Sequence, residues 1–189
     1  MIYATVGTQL PFDRMVHAVD GWAARRERDD VLAQIGPSDR PPRHIRHVPF
    51  TSSAECLGHI TRAEAVVAHA GMGSIITALQ LGRPILVVPR RAELGEHRND
   101  HQLATVGHVA DLPGVAVCHD EAELPERLDR LLAEAPPASV IRDRAEQRLL
   151  DCLERFVTDG DEADVPASEE TPRGPGWLAS IVRGLPRRA

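Results

Sequence analysis

The sequence predicts an α/β fold built on a doubly wound parallel sheet, and three observations carry that prediction. Apolar runs of strand length alternate with longer stretches of helical period, which is the rhythm of β-strands joined by crossover helices. Runs such as Ala65–Ala68 and Ile85–Val88 are apolar throughout, as in strands buried on both faces. The 189-residue chain is 42% hydrophobic but only 3% aromatic, so its core is made of Val, Ile, Leu and Ala. Helices covering both faces of such a sheet give a Rossmann-like domain.

Taken in order, Ile2–Val6 reads as the first strand and ends at Gly7-Thr8. Asp13 caps a helix that places Val16, Val19, Trp22 and Ala23 on one face. Val31–Ile35 and His44–Val48 read as the second and third strands, separated by the turn-rich GPSDRPPR. Ser52 and Glu55 have capping-box spacing for a helix running to about Arg62. Ala65–Ala68 is a buried strand, followed by HAGMGS and a helix over Ser74–Leu81. Gly82 ends that helix at C′ and Pro84 blocks its continuation. Ile85–Val88 is the fifth strand. The polar stretch RRAELGEHRND then leads into a helix from about Asp100 to Val109, and Val115–Cys118 is the last strand. Asp120 and Glu123 suggest a second capping box, with helices over Leu124–Ala133 and Ser139–Val157.

Charge divides the chain into an expected domain over residues 1–157 and a tail over 158–189. Residues 158–170 hold six acids and no base, and removing them leaves 22 acids against 22 arginines, with no lysine anywhere. A near-neutral folded part argues against a domain built to neutralise a nucleic-acid backbone. The tail's acidic, Pro/Ser/Thr/Gly composition predicts disorder. Its end, GWLASIVRGLPRR, regains an apolar face beside arginines, the pattern of a segment that docks on a partner, on a membrane surface or back on its own domain. Three distant cysteines without CxxC spacing suit a reducing compartment. MIYATVG reads as a strand and not as a signal peptide, and no apolar run reaches the ~20 residues of a spanning helix. The expectation is a cytoplasmic protein.

In doubly wound folds ligands bind beyond the carboxyl ends of the strands. Gly7-Thr8-Gln9, His69–Ser74 and residues 89–102 land there. A glycine turn between a buried strand and a helix start lets backbone N–H groups approach an anion, with the helix dipole assisting. A plain βα turn with Ser74 as N-cap is the structural alternative. The dinucleotide fingerprint is not matched, since Ile76 stands where its third glycine would fall, and there is no P-loop. The histidines lack metal-site spacing. Arg90-Arg91 either leans toward phosphate or lies in a solvated loop.

The string AEAVVAHAGMGSIITALQLGRPILVVPRR…RNDHQLAT, with VGT near the start and QIG at 34–36, resembles the donor-binding half of GT-B glycosyltransferases. Within these it resembles the glycosyltransferase family 28 C-terminal domain, over about residues 1–135. It looks most like the small subunits of two-component enzymes that assemble exopolysaccharides or lipid-linked N-acetylglucosamine glycans. That resemblance implies a single GT-B half-domain and a nucleotide-sugar donor, a UDP-sugar, with no other cofactor. A GT-B enzyme needs two such domains and these residues suffice for one. A membrane-associated acceptor-binding subunit is therefore implied as partner, recruiting the chain to the inner face of the membrane.

Position by position, the resemblance puts the donor diphosphate at Gly71, Met72, Gly73 and Ser74 with His69 beside it, and Gly7, Thr8 and Gln9 facing it from the neighbouring loop. His69 is otherwise a hydrogen-bonded core histidine. The base would lie by Val48-Pro49-Phe50, although Phe50 also suits the core. Asn99, Asp100, His101 and Gln102 match the sugar-contacting cluster, while Asn99 and Gln102 also have capping-box spacing. Thr77 stands where many relatives carry a ribose-binding Glu, which weakens that contact. His69, Glu96 and His97 are the candidate catalytic groups. Two rival readings stay open: a sugar-nucleotide-binding regulatory module without chemistry, and a fragment of a nucleotide-sugar epimerase.

Overall fold

A computed structural model describes residues 1–134. Its strands are β1 (Ile2–Thr5), β2 (Val31–Gln34), β3 (Arg46–Val48), β4 (Ala65–His69), β5 (Ile85–Val88) and β6 (Val115–Val117). Its helices are α1 (Asp13–Arg25), α2 (Ser53–Arg62), α3 (Met72–Gln80), α4 (His101–Val109) and α5 (Leu124–Ala133). The strands form one parallel sheet in the order β3-β2-β1-β4-β5-β6, with Ala4 opposite Ala33 on one side and Val67 on the other. This is the doubly wound order, and its direction reverses between β1 and β4. The helix expected over Ser139–Val157 and the tail from 158 lie outside the described residues.

Alternate strand residues sort the core into two layers. Ile2, Ala4, Val6, Val31, Ala33, Val67, Leu86 and Val88 join Met15, Val19 and Trp22 of α1 and Leu124, Leu128 and Leu131 of α5 in one apolar cluster. On the fully buried positions of that face, each large side chain contributes roughly 1.5–3 kcal/mol. The indole Nε1 of Trp22 donates to Asp129 of α5 at 2.8 Å, so its polar atom is satisfied at the edge of the layer. Helices α2 and α3 pack against each other, and both bury apolar side chains, Ile60 from α2 and Ile75 and Leu79 from α3.

Four local expectations are corrected. Asp13 does not cap α1: it is the first helical residue, and its carboxylate accepts from Ser38 Oγ at 2.7 Å. The third strand starts at Arg46 and not His44, because the buried Asp20 accepts from the backbone N–H groups of Arg43, His44 and Ile45 at 2.8–3.0 Å. Those amides are therefore taken before a strand ladder could use them. The Ser52–Glu55 capping box is present in full, but Asp120 instead caps a 3₁₀ turn over Glu121–Glu123 by accepting from Ala122 N. Helix α3 begins at Met72 with Gly71 as N-cap, so Ser74 is its third residue. At the other end Gly82, with φ +62°, stands one residue past the C-cap Leu81, as the sequence indicates.

Candidate functional site

The loops after β1, β4 and β5 meet at the C-terminal edge of the sheet, where the strand order reverses. Two open clefts lie there, of about 410 and 320 Å³. Both are bordered by Gly7 and Thr8, so the loop after β1 is their common wall. Among the described residues, the lining of neither contains an Asp or a Glu. Ligand sites of this fold sit in such a crevice.

A polar cluster under the sheet edge fixes the first loop. Thr5 Oγ1 donates to Gln34 Oε1 at 2.7 Å, and Gln34 Nε2 donates to the carbonyls of Gly7 at 2.8 Å and Pro49 at 3.1 Å. One buried amide thus ties the ends of β1, β2 and β3 together. Gly7 has φ +77°, and a Cβ there would stand 2.6 Å from His69 Nε2. Only glycine meets both conditions.

Gly71 makes the corresponding room on the other side of the ring. A Cβ on Gly71 would lie 2.2 Å from His69 Cε1, so the imidazole fills the space that two bare backbone positions leave. The chain then enters α3, whose first three amides, on Met72, Gly73 and Ser74, have no partner within the helix. Gly73 has nothing within 4 Å of the place its Cβ would occupy. Ser74 and Thr77 follow it along the wall of the larger cleft, with Thr51, Ser53, Cys56 and Leu57 opposite. Thr77 Oγ1 donates to the Gly73 carbonyl at 2.8 Å, so its proton is engaged and its lone pairs remain.

The smaller cleft holds His69, His97, His101, Gln9, Gln102 and Arg90. Burial pushes the half-buried His69 down to about 4, and Arg90, His97 and His101 act in the same direction. The His97 ring meets His101 edge-on at 4.4 Å, and burial with the nearby His101, Arg90 and Arg98 pulls its pKa down as well. His69 is therefore neutral near pH 7, and the cleft offers hydrogen-bond donors together with a fixed guanidinium charge.

Arg90 is the organising residue that sequence reasoning missed. It is neither solvated nor free for phosphate: it is 2% exposed, and its guanidinium donates to the carbonyls of Val6, Leu10, Pro11 and Glu96 at 2.6–3.2 Å. Its Cζ lies 4.6 Å from the Phe12 ring centre, a stacking that suits a planar cation. Burial brings its pKa down to about 10, opposed by the charge of Glu96. Its position directly after the Val88-Pro89 strand end was the available signal.

Several expected contacts fall elsewhere. Phe50 is 52% exposed and borders neither cleft, so it is neither core nor part of the pocket wall; Thr51 lines the pocket in its place. Met72, Asn99 and Asp100 are likewise absent from both linings. Asp100 accepts from Ala92 N at 2.8 Å, and Asn99 Oδ1 engages His101. Asn99 and Gln102 do not form a capping box. Asp100 is the N-cap, and Gln102 is buried, with its oxygen on the amides of Ala70 and Arg90. Glu96 is engaged by Arg14 and by Arg91 N, which leaves it no role as a free base.

Residues 1–155 match the model of the glycosyltransferase family 28 C-terminal domain. The chain belongs to that family. Over 105 residues it is 30% identical to the UDP-N-acetylglucosamine transferase subunit ALG13 of Yarrowia lipolytica, a match covering 47% of this chain and 52% of that protein. The chain thus spans about half the length of the curated relative it matches. The solution structure of an ALG13 superposes with a TM-score of 0.53 at 16% identity, covering 80% of this chain and 93% of that one. The crystal structure of the glycosyltransferase of kitacinnamycin gives 0.55 at 18% identity, over 70% of this chain and 35% of that one. At these identities the structural likeness shows a common GT-B fold, with this family 28 domain corresponding to one Rossmann-like unit of it.

Proposed function

We propose that this family 28 domain is the donor-binding half of a split nucleotide-sugar glycosyltransferase, acting in the assembly of an exopolysaccharide or a lipid-linked glycan. The carrying observation is the pair of acid-free clefts that share the Gly7-Thr8 wall, with the first-turn amides of α3 at the same edge. In this reading a UDP-sugar lies across that wall. The nucleoside occupies the larger cleft, the diphosphate meets the amides of Gly73 and Ser74 and His69, and the sugar reaches toward His97 and His101. Amides already aimed at the diphosphate stabilise the charge it gains as it departs.

The reaction forms a bond between an acceptor hydroxyl oxygen and the anomeric carbon, and breaks the bond from that carbon to the diphosphate. The hydroxyl proton passes to a base, which this reading assigns to the acceptor half because Glu96 is already paired. The name of the Yarrowia relative, a transferase subunit, supports a two-chain arrangement. No helix among the described residues is long and apolar enough to cross a membrane. The reading therefore places the acceptor site on a membrane-associated partner that brings this chain to the inner face of the membrane. Proximity and water exclusion, which supply much of the rate in such displacements, arise when the two halves close.

Calorimetric titration with UDP and UDP-N-acetylglucosamine tests donor binding, and a transfer assay with and without the co-expressed partner tests the chemistry. The expected result is weak donor binding by the chain alone and transfer only with the partner. Full-rate transfer without a second polypeptide would overturn the split arrangement. Binding without transfer in the reconstituted pair would leave a regulatory module, and epimerised nucleotide sugar would support the epimerase alternative.

A further inference from the structure

Gln102 reaches from the first turn of α4 into the space between the ends of β4 and β5. Its Oε1 accepts two backbone hydrogen bonds, from Ala70 N at 3.2 Å and from Arg90 N at 3.1 Å. An amide nitrogen in that place would set donors against donors, so the orientation of the side chain is determined. Its Nε2 consequently faces His69 Nδ1 at 3.3 Å. An N–H directed at Nδ1 needs a lone pair there, which leaves the ring proton on Nε2.

We propose that Gln102 is a positioning residue that holds His69 in its Nε2-protonated form, so that His69 meets a bound diphosphate as an uncharged hydrogen-bond donor and not as a base. The ligand half of this inference rests on the donor-binding reading above. Nε2 is the atom directed toward the bare Gly7 position, on the common wall of the two clefts. The charged and titratable groups around the ring are Arg90 at the end of β5, His97 on the loop that follows, and His101 on α4. All three disfavour a second proton on the imidazole, and an N–H of Gln102 directed at the Nδ1 lone pair does the same. With Nδ1 occupied and Nε2 protonated, the ring has no lone pair with which to take the acceptor's proton.

The test is a long-range proton–nitrogen correlation spectrum of the full chain labelled with ¹⁵N-histidine, at pH 7, with the His69 signals assigned by their loss in His69→Gln. The Nε2-protonated pattern is expected; an Nδ1-protonated or cationic ring overturns the proposal without need of any ligand. In Gln102→Glu the new carboxylate keeps the two backbone bonds but draws the proton to Nδ1, turning a lone pair toward the diphosphate. Affinity for UDP, taken as the ratio of variant to wild type, should fall roughly tenfold at pH 8. It should recover on acidification as the ring takes a second proton. A ratio that stays constant with pH overturns the positioning role. Wild-type protein with the expected tautomer but no UDP binding would overturn the donor-binding reading and leave the tautomer assignment standing.

Discussion

Arg14 and Glu96, 82 residues apart in sequence, meet as a two-pronged ion pair, Nε to Oε1 at 2.7 Å and Nη2 to Oε2 at 2.9 Å. Both side chains are close to 10% exposed, and Glu96 Oε2 also accepts from Arg91 N at 2.9 Å. The pair fastens the first turn of α1 to the loop after β5, and Glu96 raises the pKa of Arg14 further. A carboxylate that the sequence offered as a candidate base is therefore part of the frame that holds the cleft.

Glu96→Gln should lower stability by about 1–3 kcal/mol, since it removes the more buried of the two carboxylates paired with Arg14 and leaves only the exposed Glu121. Urea unfolding measures this. Transfer activity per folded molecule, assayed with the partner, should survive. Abolished transfer with unchanged stability would restore Glu96 as a catalytic group.

The glycines of HAGMGS should respond differently. Gly71→Ala forces the His69 ring to move, because the new Cβ would stand 2.2 Å from it, and UDP affinity should drop roughly tenfold. Gly73 has open space, so Gly73→Ala should stabilise the helix by about 0.5–1 kcal/mol. Gly73→Val should fold yet weaken UDP binding by crowding the diphosphate. Ser74→Ala should remove one hydroxyl contact, ~1 kcal/mol. Calorimetry on the folded variants checks all four, and unchanged affinity throughout would return the motif to an ordinary turn.

Arg90→Met removes every donor from four carbonyls at once and should cost about 3 kcal/mol or more. Arg90→Lys retains the charge, but a single ammonium cannot reproduce a planar fork serving carbonyls from two loops, so its loss should be intermediate. Amide exchange at Thr8, Gln9 and Leu10 should accelerate in both variants. Unaltered exchange in Arg90→Met would show that the loop is held by something else.

Asp20 gives the pH dependence. Burial acts to raise its pKa, but the three amides of Arg43, His44 and Ile45 outweigh it and the net shift is downward. A carboxylate with a depressed folded pKa contributes stability above its unfolded value near 3.9, and that contribution is lost as pH falls through the folded value. Asp20→Asn should therefore cost about 1–3 kcal/mol at pH 7, and the gap to wild type should close below about pH 4. A gap that is constant from pH 7 to pH 3 would contradict the assignment.

The sheet and its helices were legible because both rest on periodicity. Ala65–Ala68 and Ile85–Val88 have no reading but buried strand, and Ser52 with Glu55 caps α2 as its spacing indicates. The glycine turn at the switch point was legible for the same reason, through local chain geometry. Side-chain partners distant in sequence were not. Arg90, Glu96 and Gln102 look like polar loop and cap residues until their carbonyl, guanidinium and amide partners, brought from other elements, are known. Phe50 failed for the converse reason: an aromatic after a strand suggests burial, and here the chain turns it outward.

The contacts of Arg90 also impose an order in time. Its guanidinium holds Val6, Leu10 and Pro11, residues 79 to 84 positions earlier. β1 is a central strand whose neighbours, β2 and β4, both come later in the chain. During synthesis the loop after β1 leaves the ribosome well before residue 90 has been made, and until then it waits without its clamp. Closure across such separations is the slow kind of folding event. The loop is thus made long before it is finished, and a nascent chain stopped short of β5 carries the glycine loop without its guanidinium clamp.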